Sequence, residues 1–215
     1  MDASQVVIAA FVLGTVGNAA KAVPQFLRTA VRGQVAGLST TAVWLALVAN
    51  VLWLCFGLAI RDWAFVALGL VQTALTAGTL GRFLARTGWR SSRRHALVAL
   101  GACAAFGVLA ATRTGAVLES LGAALGVLIG APQLLHLWQR RRTPTDVSGV
   151  SPAEPVVVVV AQVAWTAYWL LQGHPVAAAG AAWGAAARAA TLVLLRGQLA
   201  RRDDEPDRRG VRAHP

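Results

Sequence analysis

Charge is what this chain has least of. Charged residues are 13% of its 215 positions, about half the share usual in a soluble domain. Stretches near twenty residues long carry almost none. A soluble helical domain, which needs a charged outer surface, is excluded. Cysteine is scarce too: Cys55 and Cys103 both fall inside apolar stretches, so no disulfide framework or zinc spacing follows. His95, His136, His174 and His214 are scattered, without the paired spacing of a metal site. No Gly-rich phosphate loop and no Gly-x-Ser-x-Gly elbow is present. The chain does not read as an enzyme, and nothing in it calls for a cofactor or a metal.

What is present is apolar. Hydrophobic residues make up 56% of the chain. Helices of about twenty apolar residues cross the roughly 30 Å of bilayer hydrocarbon. Seven such spans are expected, near 5–27, 39–60, 63–83, 95–112, 117–138, 151–171 and 175–195. The breaks carry charge or turn signals, such as Arg61-Asp62, Arg113 to Gly115 and Gly173-His174-Pro175. From Arg196 to Pro215 the composition turns to Arg, Asp, Glu and Pro, which predicts a solvated or disordered tail.

A net charge of +11 can signal nucleic acid. Here the arginines sit in short loops between spans, so membrane topology explains them and no nucleic-acid partner is expected. With the N-terminus outside, sixteen basic residues fall on the inner side, and only Arg61 and Arg113 fall outside. That bias is the positive-inside pattern, with the C-terminus cytoplasmic. Met1-Asp2-Ala3-Ser4 offers no basic n-region, so the first span is read as a mature helix rather than a cleaved signal. The reading is a multi-pass protein of the plasma membrane, with the lipid bilayer as its partner.

The chain also repeats itself. Pro24-Gln25 and Pro132-Gln133 each end a long apolar stretch. A basic loop follows each, then Gly37-Leu38-Ser39 or Gly149-Val150-Ser151. Trp53 and Trp165 come fourteen positions after the two serines, with Asn50 and Gln162 one turn earlier, and with Phe56 and Tyr168 just after. Such a duplication has to be recognised before any other reading of a fold. Three spans are an odd number, so a second copy joined directly would be inverted. The span near 95–112 restores the orientation. The expected organisation is a first three-helix repeat over 1–86, a linker helix with its loop over 87–114, a second repeat over 115–196, and a charged tail over 197–215.

This pattern resembles the PQ-loop superfamily, and most of all the SWEET sugar facilitators. The resemblance covers about 1–196. It implies an all-α membrane fold with two parallel three-helix bundles, related by an axis along the membrane normal, and a solute site near the midplane. It also implies facilitative uniport of a mono- or disaccharide by alternating access. A PQ-loop carrier for an amino acid or organic acid, and a non-transporting receptor or scaffold of the same fold, stay open beside it. A homo-oligomer is compatible with each.

Pro24 and Pro132 each remove a helix hydrogen bond. Together with Gln25 and Gln133 they are the candidate hinges of an inner gate. The alternative is a helix simply nearing its end. Family members also carry proline on the second helix of each repeat. Here Pro152 and Pro155 supply it on the sixth span, but the second span has Ala42-Val43, so the gate is expected to be asymmetric.

Asn50, Trp53, Gln162 and Trp165 are the candidate substrate-binding residues. A buried amide in a membrane needs a partner or a cavity. An indole face stacks on the CH surface of a sugar ring, and an amide both donates to and accepts from hydroxyls. The competing reading is that amides and indoles tie helices together. Sugar-transporting members carry an Asn on the third helix of each repeat. That position falls at Gly69, and at Gly180 or Ala181. Gln72, one turn on, is the candidate replacement for the first, and nothing neutral replaces the second.

Arg188, a candidate charged cavity residue, stands in the seventh span where the first repeat has Thr76. It can snorkel, pair with Glu154, or face the cavity. Lys21, one turn before Pro24, reads as a snorkelling or carbonyl-capping lysine. Trp44, Trp63, Trp89, Trp138, Trp169 and Trp183 fall mostly near span ends and read as an aromatic belt without a substrate role. Asp146 and Glu154 lie near the inner mouth and no carboxylate near the midplane, so proton coupling is not expected.

Overall fold

The computed structural model describes residues 2–27, 29, 40–139 and 153–203. Seven helices account for nearly all of them: α1 (Ala3–Phe26), α2 (Thr40–Ile60), α3 (Trp63–Thr87), α4 (Arg93–Ala111), α5 (Gly115–Gln139), α6 (Ala153–Leu171) and α7 (Pro175–Asp203), with one 3₁₀ turn at Arg90–Ser92. The helix count agrees with the expected spans. α7 differs at its end, running on to Asp203 where a loose tail was expected. The segment Gln198 to Arg202 consists of good helix formers, and no proline intervenes before Pro206.

Four helices contain windows long and apolar enough to cross a membrane: Val43–Ile60, Trp63–Thr87, Arg93–Ala111 and Pro175–Leu194, with mean hydropathies of 2.3, 1.5, 1.6 and 1.3. The other three hold shorter apolar stretches among the described residues, Ser4–Ala20, Gly115–Leu128 and Val156–Leu171. Large apolar side chains point outward along every helix, among them Ile8, Leu58, Leu70, Val98, Leu128, Val160 and Val193. Water would penalise such a surface and lipid does not. The molecule is therefore a multi-pass membrane protein.

The packing has an order. α3 touches α1 and α2, and α7 touches α5 and α6. Across the middle, α1 packs on α6 and α2 on α5. Exchanging α1-α2-α3 for α5-α6-α7 leaves this set of neighbours unchanged, as two parallel repeats require. α4 stands outside it. It lies mainly on α2 and buries only Ala96, Ala99 and Phe106.

The short turns repeat as well. After α2, the Asp62 N–H donates to the Gly57 carbonyl at 3.1 Å, with Arg61 in the left-handed region at φ 61°. After α6, the His174 N–H donates to the Trp169 carbonyl at 2.8 Å, with Gly173 at φ 78°. Both are six-to-one C-terminal motifs, which need one left-handed residue.

Candidate functional site

The two tryptophans singled out by the repeat cross between the bundles. Trp165 of α6 lies against Gly14 of α1, where an added Cβ would come within 2.7 Å of the indole. Trp53 of α2 lies against Gly122 of α5, where the same atom would come within 2.9 Å of its ring. Gly14 and Gly122 stand ten residues before Pro24 and Pro132. Each repeat thus offers one indole and one side-chain-free seat for the other's. Gly17 brings α1 closer still to α6, facing Ala161.

Trp169 joins these two. Its ring is stacked on Trp53, with centroids 6.2 Å apart and planes at 17°, and on Trp165, at 6.0 Å and 24°. Phe65 presents its ring edge-on to all three. These rings form one buried cluster with Phe56 and Tyr168. The belt reading of Trp169 is overturned, because the residue is 3% exposed. Proximity to a helix end misled here: the last turn of α6 turns Tyr168 and Trp169 inward while Leu170 and Leu171 face outward. Trp44 is likewise buried, whereas Trp63, Trp89 and Trp183 are exposed as a belt requires. Trp138 lies outside the residues whose side chains are described.

Beyond the aromatic cluster, carboxylates close the turn end of the bundle. Asp62 caps α3 by accepting from the Phe65 N–H at 3.0 Å. Its other oxygen accepts the Tyr168 hydroxyl from the opposite repeat. In the second copy the residue at Asp62's place is His174, which carries no carboxylate. Glu119 of α5 replaces it, accepting from the Ala177 N–H at 2.7 Å and lying 3.4 Å from His174 Nδ1. Carboxylates favour helix N-termini because the free N–H groups carry partial positive charge.

On the other side of the rings lies a cavity of about 250 Å³ between the bundles. Asn50, Trp53, Gln72, Gln162 and Trp165 all border it, and so does Arg188. Trp169 and Asn18 border it as well. Sequence reasoning missed Asn18, whose place in the second copy is Gly126, so no repetition marked it. Asn50 is also a tie between helices: its amide donates to Thr76 Oγ1 of α3 at 2.7 Å. Gln162 has no such bond among the described residues: Thr76 is replaced by Arg188 and Gln72 by Gly184, against which the Gln162 amide rests. Trp165 Nε1 is buried without a hydrogen-bond partner among the described residues.

Gly69 and Gly180 border the cavity too, and packing explains why neither carries an amide. A Cβ on Gly69 would come within 3.1 Å of the Leu54 backbone, and one on Gly180 within 2.9 Å of that of Ala123. α3 and α7 use these positions to approach α2 and α5. The side chains of Lys21, Pro24, Gln25, Pro132, Gln133, Pro152, Glu154 and Pro155, and all of Asp146, lie outside the described residues. Pro24 and Pro132 fall within α1 and α5.

No protein-family model matches the chain, and no curated protein matches it in sequence. Among solved structures it is similar to a eukaryotic SWEET transporter determined at 3.7 Å resolution. The TM-score is 0.74 at 13% identity, over 92% of this chain and 99% of that one. The chain has the SWEET transporter fold.

Proposed function

We propose, from that shared fold, that this protein is a SWEET-type PQ-loop transporter. It moves a small, polar, sugar-like solute down its gradient. The observation that carries the reading is the cavity between the bundles, bordered on one side by stacked indoles and elsewhere by amides. At about 250 Å³ it suits a small solute such as a single sugar ring. The indoles take the apolar face of a sugar, and the amides of Asn18, Gln72 and Gln162 take its hydroxyls. Asn50 is already engaged with Thr76 and shapes the wall.

Transport then follows from the two-bundle design. The Asp62–Tyr168 bond and the aromatic cluster hold one end shut. Rocking of repeat 1–86 against repeat 115–196 opens that end and closes the other, with α4 as a passive connector and Pro24-Gln25 and Pro132-Gln133 as hinges. The arginine distribution orients the closed end outward, in the plasma membrane.

Uptake of labelled glucose and sucrose into proteoliposomes tests this reading. Saturable flux above empty vesicles, larger for the monosaccharide, supports it. Folded protein that yields no flux but gains thermal stability from a solute would instead be a receptor.

A further inference from the structure

The end of the bundle opposite the Asp62–Tyr168 turn carries chemistry that the cavity does not use. α2 and α4 both begin there and pack on each other, so two helix N-termini lie side by side. Thr41 Oγ1 and His95 Nε2, 3.1 Å apart, join their first turns. At this junction three polar atoms are buried without a partner among the described residues: Trp44 Nε1, Ser92 Oγ and His95 Nδ1. Ser92 is wholly buried and Trp44 is 8% exposed. Ser92 is the N-cap of α4, yet its side chain makes no capping bond. Helix N-termini and orphaned donors in one place favour an anion.

The charges agree. Arg82, Arg86, Arg90, Arg93 and Arg94 are all exposed towards this end, and no Asp or Glu occurs between Asp62 and Glu119. The tail from Arg196 is no net counter-charge, since it holds six arginines against four acids. Arg93 and Arg94 stand one turn before Leu97 and Val98, on the same face of α4. Those two aliphatics are 68% and 73% exposed. Cations thus sit above bare aliphatic surface, and Trp89, 52% exposed, stands beside them as interfacial indoles do. A soluble phosphate would use the cations and leave the aliphatic face uncovered. An anionic phospholipid uses both.

We propose that an anionic phospholipid of the inner leaflet binds at the first turn of α4. Its phosphate lies against the guanidinium groups of Arg93 and Arg94 and the N-terminus of the helix. The Ser92 hydroxyl serves it directly or through one water, and its acyl chains lie along Leu97 and Val98. Basic pockets between transmembrane helices on the cytoplasmic side hold such headgroups by the same pairing. The site is apart from the cavity and does not depend on what the cavity carries. α4 buries only Ala96, Ala99 and Phe106, so the lipid gives the linker helix an anchorage that its own packing lacks.

The test titrates the purified full chain, in a neutral detergent, with phosphatidylglycerol, phosphatidylcholine or glycerol phosphate and follows the melting temperature. Only phosphatidylglycerol should raise it, and saturably. Arg93→Gln combined with Arg94→Gln should weaken that response by about five-fold per arginine. Arg61→Gln combined with Arg113→Gln, at the opposite end, should leave it unchanged. Ser92→Ala breaks no hydrogen bond among the described residues, so it should not lower the melting temperature in detergent alone. It should still weaken the response to phosphatidylglycerol, and a merely structural serine would show the reverse. Equal responses to phosphatidylglycerol and phosphatidylcholine would overturn the proposal. An equal response to glycerol phosphate would overturn it too, since it would mark an anion site without a lipid. So would a phosphatidylglycerol response untouched by the paired Arg93 and Arg94 substitutions. Should that pair fail to fold, Arg94→Gln alone makes the same comparison.

Discussion

Tyr168 and Asp62 belong to different repeats and meet at the turn end, where the tyrosine hydroxyl donates to the carboxylate that caps α3. Phe56 holds Tyr168's place in the first copy and has no hydroxyl to offer in return. This cross-bundle bond is therefore made once. Tyr168→Phe removes it and leaves the cap intact, at an expected cost of about 1.5–3 kcal/mol for a hydrogen bond to a charged group. Asp62→Ala loses the cap as well and should cost more. In the Asp62→Ala background, Tyr168→Phe should cost little further. Thermal melts of the four proteins check the cycle, and strict additivity would show that the bond contributes nothing.

Glycine on α1 should be far less replaceable than glycine on α4. A Cβ on Gly17 would come within 2.4 Å of the Ala161 methyl, which has no rotamer to yield, so the helices must part. Gly17→Ala is expected to destabilise by about 1–3 kcal/mol. Gly14→Ala should do the same by displacing the Trp165 indole, which also lowers solute affinity. Gly101 has open space at its Cβ, so Gly101→Ala should be neutral or stabilising by up to about 1 kcal/mol from helix propensity. Melting curves in one detergent rank the three.

The two amides of the repeat should separate by experiment. Asn50→Ala leaves Thr76 without its partner and should cost about 1–2 kcal/mol of stability. Gln162→Ala removes no hydrogen bond among the described residues and should leave the melting temperature within about 0.5 kcal/mol of wild type. Solute affinity should fall in Gln162→Ala, as measured by the size of the ligand-induced thermal shift. An unchanged shift would mean that Gln162 does not touch solute.

Glu119 caps a helix to which it does not belong. Glu119→Ala strands the Ala177 N–H in a buried site, at a cost of about 1–3 kcal/mol. Glu119→Gln keeps an acceptor oxygen and should recover part of that loss. Equal melting temperatures for the two variants would show that the acceptor is not what matters.

The sequence made the helices and their order readable, because lipid leaves hydropathy little room for ambiguity. It also pointed to Asn50, Trp53, Gln162 and Trp165, because duplication marked them twice. Gln72 and Arg188, each present in one copy, stood out as polar residues in apolar sequence, but other single-copy features escaped. Asn18 faces the cavity opposite a glycine register, and Trp169 was mistaken for an interfacial indole. The Glu119 cap and the Tyr168–Asp62 bond join residues far apart in the chain, which periodicity does not relate. Gly14 and Gly122 were visible in principle, each ten residues before its proline. A seat for an indole, however, becomes legible only once α1 is known to cross onto α6.

Gly57 occupies in the first copy the place that Trp169 holds in the second. Trp169 stacks between Trp53 and Trp165, which are themselves counterparts, so it sits close to the axis relating the halves. A ring on that axis can come from one side only. Two identical second halves would drive a pair of indoles into one space, and two identical first halves would leave a hole there. This closed end can be assembled only by unlike halves, which ties the molecule's working form to divergence after its duplication.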